Sequence, residues 1–431
     1  MMTLIWLVIF AATAILVARK TSLAGILIVA ALPAYLLRTS VLDLPTTLLE
    51  ATIVGSLLGG AFDLTQRHTV RSFFDAARRH PFFFPALALL LVSAISVFMP
   101  TDRIAALGVW RAYFLEPILV LPLLHISLTD RKTRDALFIV LAAETIALAA
   151  IAVLERFGML PIVPPWDVEF RATSIYPFPN AVGLFLGPTI VFFATLAAFG
   201  QTFKTKVRAF FATAAVVSFA GIVASMTKAA IGSVAVTIGV LGLTISKKTR
   251  FVTIGLVLVA VTTILAVSPL RTDLIQKITF QEWSGTVRRV MWQETVTMLL
   301  MRPFFGAGLS GYPSAVAPFH PDAKVEIFQY PHDEFLNVWS ELGIPGLIVV
   351  LWILVTFVRT LRLGTRDSTR YLRLAAALAI LEILIHGLVD VPYFKNDLAI
   401  LTWLFLILPS AATTDLDNRA SAPPLRKRGL G

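Results

Sequence analysis

The chain has no cysteine among its 431 residues. Disulfides, thiolate metal sites and a cysteine nucleophile are therefore excluded. Charge is also scarce. Asp, Glu, Lys and Arg supply 15% of the residues, where a soluble domain carries about a quarter. There are only six histidines. No repeat of 20–50 residues and no low-complexity tract is evident, so nothing points to a repeat array.

What is abundant is apolar. Hydrophobic residues make up 57% of the chain, in runs of about 16–20, long enough to cross a bilayer as helices. The runs do not alternate apolar and polar residues, which excludes a β-barrel. The expected fold is an all-α polytopic integral membrane protein. Its spans fall near 3–18, 22–37, 46–62, 82–99, 109–128, 135–153, 181–199, 208–226, 229–246, 251–267, 344–359, 374–390 and 396–411. The third holds Glu50 and several glycines, so a re-entrant or interfacial segment fits it as well. Twelve spans and thirteen both remain open.

The net charge is +11. A basic balance can serve nucleic-acid phosphates. Here the basic residues lie in short alternate loops, as cytoplasmic loops do, and no nucleic-acid partner is expected. Residues 63–80, 129–134, 201–208, 247–250 and 359–373 then face the cytoplasm. The N-terminal stretch lacks a basic n-region and a clear cleavage site, so it reads as an uncleaved first span. The chain divides into spans (1–267), one long outward insert (268–343), further spans (344–411) and a cytoplasmic tail (412–431). The tail from Thr413 onward has the composition of disorder.

The insert gathers the ionisable groups. "SGTVRRVMWQETVTMLLMR" (284–302) reads as a helix, with Arg288, Trp292 and Thr295 on one face and Pro303 ending it. "FFGAGLSGYPS" (304–314) contains a literal G-x-G-x-x-G at Gly306, Gly308 and Gly311. It follows a helix rather than a strand, so it is a glycine-rich turn and not a dinucleotide fingerprint. Its N–H groups are candidates to meet phosphate. His332, Asp333 and Glu334 come just before the next greasy segment, with Glu341 close behind. A metal needs three or four spaced ligands, and this cluster does not supply them convincingly. Inside the spans, Arg111 and Glu116 are expected to pair with each other or elsewhere, and Glu144 sits in mid-span. Glu382, His386 and Asp390 recur every four residues. They line a polar cavity or form a contact between spans, and the sequence does not choose.

One block, "GTVRRVMWQETVTMLLMRPFFGAGLSGY" with "YPHDEFLNVWSELGIPGL", resembles the signature of the bacterial O-antigen ligase and O-antigen polymerase superfamily. Arg288 with Trp292, Pro303 with Gly306 and Gly308, His332-Asp333, Leu336, and Glu341 with Gly343 and Gly346 fill its positions. "RATSIYPFPNAVGLFLG" (171–187) is similar to a family segment through Arg171 and Asn180. "SMTKAAIGSV" (225–234) is similar to one that usually reads Ser-Arg-Gly, but carries Lys228 instead of Arg.

The resemblance implies a glycosyltransferase in the bacterial inner membrane, its site facing the periplasm or exterior. It implies transfer of a glycan from undecaprenyl pyrophosphate to a hydroxyl of lipid A core or another glycan, inverting and without cofactor or metal. Ligase and polymerase share the motif. His332 and Arg288 are the expected catalytic residues, and Arg171, Arg289 and Lys228 the expected pyrophosphate ligands. Asp333, Glu341, Trp292 and Asn180 are expected in support, with Asp333 or Glu334 orienting His332. Plainer readings stand beside these. Arg288 and Arg289 also fit headgroup anchors, Arg171 a loop anchor, Trp292 packing and Glu341 a structural cap. The rival class, a lipid-linked glycan transporter, predicts internal repeats; a non-enzymatic scaffold predicts that His332 is dispensable for product formation.

Overall fold

The computed structural model describes residues 2–41, 44–67, 75, 77–321, 325–362 and 369–420. Its helices are α1 (Met2–Arg19), α2 (Ala24–Ala30), α3 (Leu48–Arg67), α4 (Phe83–Ser96) and α5 (Arg103–Thr129). After these come α6 (Arg131–Arg156), α7 (Pro179–Phe199), α8 (Thr205–Ala224), α9 (Lys228–Ile245) and α10 (Lys247–Ala266). The insert contributes α11 (Ser268–Ile278), α12 (Trp283–Met301) and α13 (Tyr312–Val316). The chain ends with α14 (Glu334–Arg362), α15 (Arg370–His386) and α16 (Asn396–Ala420). Among the described residues, nine helices are long and apolar enough to cross a membrane, and three shorter apolar helices accompany them. A single two-stranded hairpin, β1 (Arg38–Val41) with β2 (Leu44–Thr47), interrupts this all-α multi-pass architecture.

Two spans differ from the sequence reading. The second is short, because Pro33 lacks an N–H; the helix stops at Ala30 and a tight turn, Leu32–Leu36, follows. The third, read as doubtful, is a full-length helix. Gly55 and Gly59 let α1 approach so closely that a methyl at either position would overlap it, as small residues allow in membrane helix pairs. Glu50 is satisfied by the Thr46 hydroxyl, the Thr47 N–H and the Arg111 guanidinium at 2.9 Å. Arg111 also lies 3.5 Å from Glu116, so both pairings expected of it occur. At the other end, α16 continues through Ala420; 421–431, the rest of the expected disordered tail, lie outside the described residues.

The centre of the bundle is α7, buried along nearly its whole length and packed on α6, α8, α9 and α15. Lipid tails are as apolar as leucine, so close packing and buried polar contacts hold such helices together. One of those contacts answers an open question. Ser233 of α9 donates to Glu382 at 2.6 Å, His386 lies 3.4 Å from the same carboxylate, and Gly187 of α7 leaves room for it. Glu382 therefore makes a contact between spans, with His386 beside it on the same helix. Asp390 does not join them, because α15 ends at His386 and the chain turns away to Lys395 before α16.

Candidate functional site

The turn 387–395 collects the site. The Asp390 carboxylate receives three hydrogen bonds. His332 Nδ1 lies 3.2 Å from Oδ1, the Val391 N–H donates to the same oxygen at 2.9 Å, and the Asn180 amide donates to Oδ2 at 3.2 Å. Asn180 in turn accepts from Arg171 Nη2 at 3.3 Å. One residue earlier, the Val389 carbonyl accepts from Arg288 Nε at 3.0 Å. Residues far apart in the chain thus meet on two adjacent positions of one turn. Burial pushes the Asp390 carboxyl up, but the hydrogen bond from His332, the nearby imidazoles of His332 and His386 and the Val391 N–H outweigh it. The net result is a group held below the usual carboxylate range, an anion by design of its surroundings.

Each partner is positioned by its own segment. His332 adopts φ 51°, in the left-handed region that a non-glycine residue rarely enters. The rings of Phe328 and Tyr330 flank the imidazole edge-on at 5.2 Å each. The strained residue turns the chain so that the imidazole meets Asp390 while Asp333 serves another purpose. Asp333 accepts the Leu336 N–H at 2.8 Å, capping the first turn of α14. Burial raises its pKa against the pull of that bond. The expectation that Asp333 or Glu334 orients His332 is corrected: Glu334 faces the Tyr393 N–H, at 3.3 Å, and Asp390 is the partner.

Arg171 is set by the segment 225–228. Its Nε donates to the Ser225 carbonyl at 3.4 Å, and its guanidinium lies 5.2 Å from the Trp166 ring centre. Lys228 itself is 65% exposed and pairs with Glu282 at 3.7 Å. It stands at the rim beside the Arg171 segment rather than on Asp390. Arg289 is exposed, one residue around α12 from Arg288.

The glycine-rich turn has a different role from the one its N–H groups suggested. Ala307 and Gly308 donate to the Ser340 carbonyl, Leu309 to the Ser96 carbonyl, and Ser310 to the Glu341 carboxylate at 2.7 Å. These donors are spent inside the protein and do not meet phosphate. Glu341 is accordingly a structural cap of this turn.

Trp292 donates its indole N–H to the Pro331 carbonyl at 2.9 Å and packs edge-on against Phe280. It braces the residue before His332. Trp292→Phe is expected to cost about 1 kcal/mol of stability, the worth of one such bond. Thermal unfolding of the purified protein would check this; an unchanged unfolding temperature would show that the brace is dispensable.

Sequence reasoning missed Asp390 as the partner of His332. The available signal was its place in the four-residue rhythm of Glu382 and His386, which led instead to a helix face.

Residues 213–351 match the O-antigen ligase family. Arg288, Trp292, Pro303, His332 and Glu341 lie inside that range, while Arg171, Asn180 and Asp390 lie outside it. The match supports the O-antigen ligase and polymerase superfamily and, with it, a role in membrane glycan transfer. Among curated proteins, none matches the chain.

Proposed function

We propose that the protein transfers a glycan from undecaprenyl pyrophosphate to a hydroxyl acceptor at the outer face of a bacterial inner membrane, in the manner of an O-antigen ligase. The observation that carries this reading is the turn at Val389 and Asp390, which gathers one histidine and two arginines. The ionised Asp390 accepts from Nδ1–H of His332, which fixes the tautomer and leaves the Nε2 lone pair for a substrate proton. Nε2 takes the proton of the acceptor hydroxyl as its oxygen bonds to the anomeric carbon. The bond from that carbon to the pyrophosphate oxygen breaks, and the lipid pyrophosphate leaves with the electron pair. Attack opposite the leaving group inverts the centre. Arg171 and Arg288 stay protonated and bind phosphate oxygens in a forked geometry, where growing negative charge rewards them most.

Several of their donors are already used. Arg288 holds the Val389 carbonyl through Nε and Ser284 through Nη1, at 3.3 Å. Its second Nη remains for substrate. Burial lowers the Arg171 pKa and the nearby Glu169 carboxylate offsets this only in part, so an arriving phosphate replaces a weak partner 3.8 Å away. No observation favours ligase over polymerase.

The test is glycan transfer by protein reconstituted in vesicles, with a native lipid-pyrophosphate-linked donor and EDTA throughout. Wild type should form product, and Arg288→Gln should lower the rate about a hundredfold, the scale of removing one charge-stabilising donor. Product length then separates ligase from polymerase. Full activity in Arg288→Gln would make that arginine a headgroup anchor. Movement of lipid-linked glycan across the bilayer without donor consumption would establish a transporter instead.

A further inference from the structure

The reaction scheme leaves Lys395 unused. Lys395 closes the same turn that carries Val389 and Asp390, and its backbone N–H bonds to the Tyr393 carbonyl at 2.7 Å. Burial pulls its pKa down, while the charges of Asp397 and Asp390 pull it up. Its ammonium group nevertheless makes no ion pair or hydrogen bond with any described residue. A partly buried cation without a bonded partner is costly in a protein interior, and such a group is a candidate for a binding site.

Three tyrosines share the peculiarity. The hydroxyls of Tyr35, Tyr113 and Tyr330 have no hydrogen-bond partner among the described residues. Their side chains are partly buried and pack against the main core. Neither these hydroxyls nor the Lys395 ammonium is among the polar atoms sealed from the surface. All four groups therefore keep an open face.

They also lie together. The Tyr113 carbonyl accepts the Tyr393 hydroxyl at 2.9 Å, two residues before Lys395. The Tyr330 ring is 5.2 Å from that of His332. Tyr35 and Tyr113 feel the charge of Asp397, as Lys395 does, and Tyr330 feels that of Asp390. The Asp397 carboxylate that they share accepts the Tyr176 hydroxyl at 3.5 Å.

We propose that Lys395, Tyr35, Tyr113 and Tyr330 form a binding site for an anionic sugar, a pyranose bearing a carboxylate or phosphate, beside His332. Open hydroxyls match the alternating donors and acceptors of a sugar ring. The ammonium is a compact point charge suited to one anionic substituent rather than to a forked pyrophosphate contact. Naming the ligand an acceptor sugar rests on the glycan-transfer reading; the binding itself does not.

Saturation-transfer NMR on the detergent-solubilised full chain tests it without any turnover. The probes are glucuronic acid, glucose 1-phosphate, glucose and inorganic pyrophosphate. Wild type should bind the two anionic sugars at least tenfold more tightly than glucose. Lys395→Met should erase that preference, and Tyr113→Phe should weaken all three sugars alike. Arg171→Gln and Arg288→Gln should weaken pyrophosphate and leave glucuronic acid unchanged. Lys395→Met should also unfold at the same or a higher temperature, since it removes a cation that has no bonded partner. A preference that survives Lys395→Met, or vanishes in the arginine variants, overturns the proposal, as does the absence of sugar binding. A drop in unfolding temperature for Lys395→Met would make the lysine a structural ion partner and overturn it too. Sugar binding by a protein that transfers no glycan would sink the catalytic reading and leave this one standing.

Discussion

Asp390→Asn is expected to lower glycan transfer by about a thousandfold, within the range that a positioned general base contributes. The substitution keeps the shape of the side chain and removes only its charge and one acceptor. The reason it is so damaging lies in the polarity of the chain of bonds. Arg171 can only donate, so the Asn180 carbonyl oxygen must face it and the Asn180 amide must face residue 390. His332 must donate from Nδ1 if Nε2 is to act as the base. Both oxygens at position 390 must therefore accept, and asparagine offers only one acceptor. One link breaks whichever way the amide is placed. If the broken link is to His332, the tautomer reverses. If it is to Asn180, the anchor of Arg171 is lost. The measurement is transfer by Asp390→Asn, by His332→Ala and by the double variant. The double variant should be little worse than the worse single one, because the residues act as a unit. Fully additive losses would mean that Asp390 acts through something other than His332.

Gly343→Ala is expected to destabilise the protein by roughly 3–5 kcal/mol, combining strain in a glycine-only conformation with an overpacked contact. Gly343 has φ 68° and ψ −170°, where a β-carbon has no relaxed place. That β-carbon would also overlap the Phe304 carbonyl and the Phe305 backbone. The glycine is the break in α14 between the short segment after His332 and the long apolar part. The carbonyl of Ser340, three residues before it, anchors the glycine-rich turn through Ala307 and Gly308. Moving the break would tear that turn from α14 and shift His332 with it. Thermal unfolding of detergent-solubilised protein would show the effect as a loss of several degrees and poor yield. An unfolding temperature within a degree of wild type would show that the backbone relaxes freely there, and the strain argument would fail.

Much of this was legible without coordinates. Apolar runs must become helices in lipid, since no other local structure satisfies the backbone there. That logic placed the spans, and it placed α12 to within a residue at each end, because Pro303 permits no continuation. His332 and Arg288 were visible as ionisable groups in an apolar chain, and Arg171 and Asn180 through the resemblance of their segment to a family one. The short second helix was harder to see, because hydropathy counts apolar residues and not the N–H that Pro33 lacks. The third span looked weak for the opposite reason. Glu50 reads as a penalty until Arg111, 61 residues away, is placed beside it.

The sequence by itself determined the membrane, the helices and the inventory of charged groups, because these follow from composition and local spacing. Tertiary structure decided who faces whom. Asp333 adjoins His332 in the chain but is committed to a helix cap. Asp390, 58 residues on, receives the imidazole because the turn after α15 brings it there. The glycine-rich turn could have met phosphate until Ser340, Ser96 and Glu341 were seen to use its donors. Lys395 drew no notice in the sequence, since an unpaired charge is defined by the neighbours it lacks, and only the folded chain supplies neighbours.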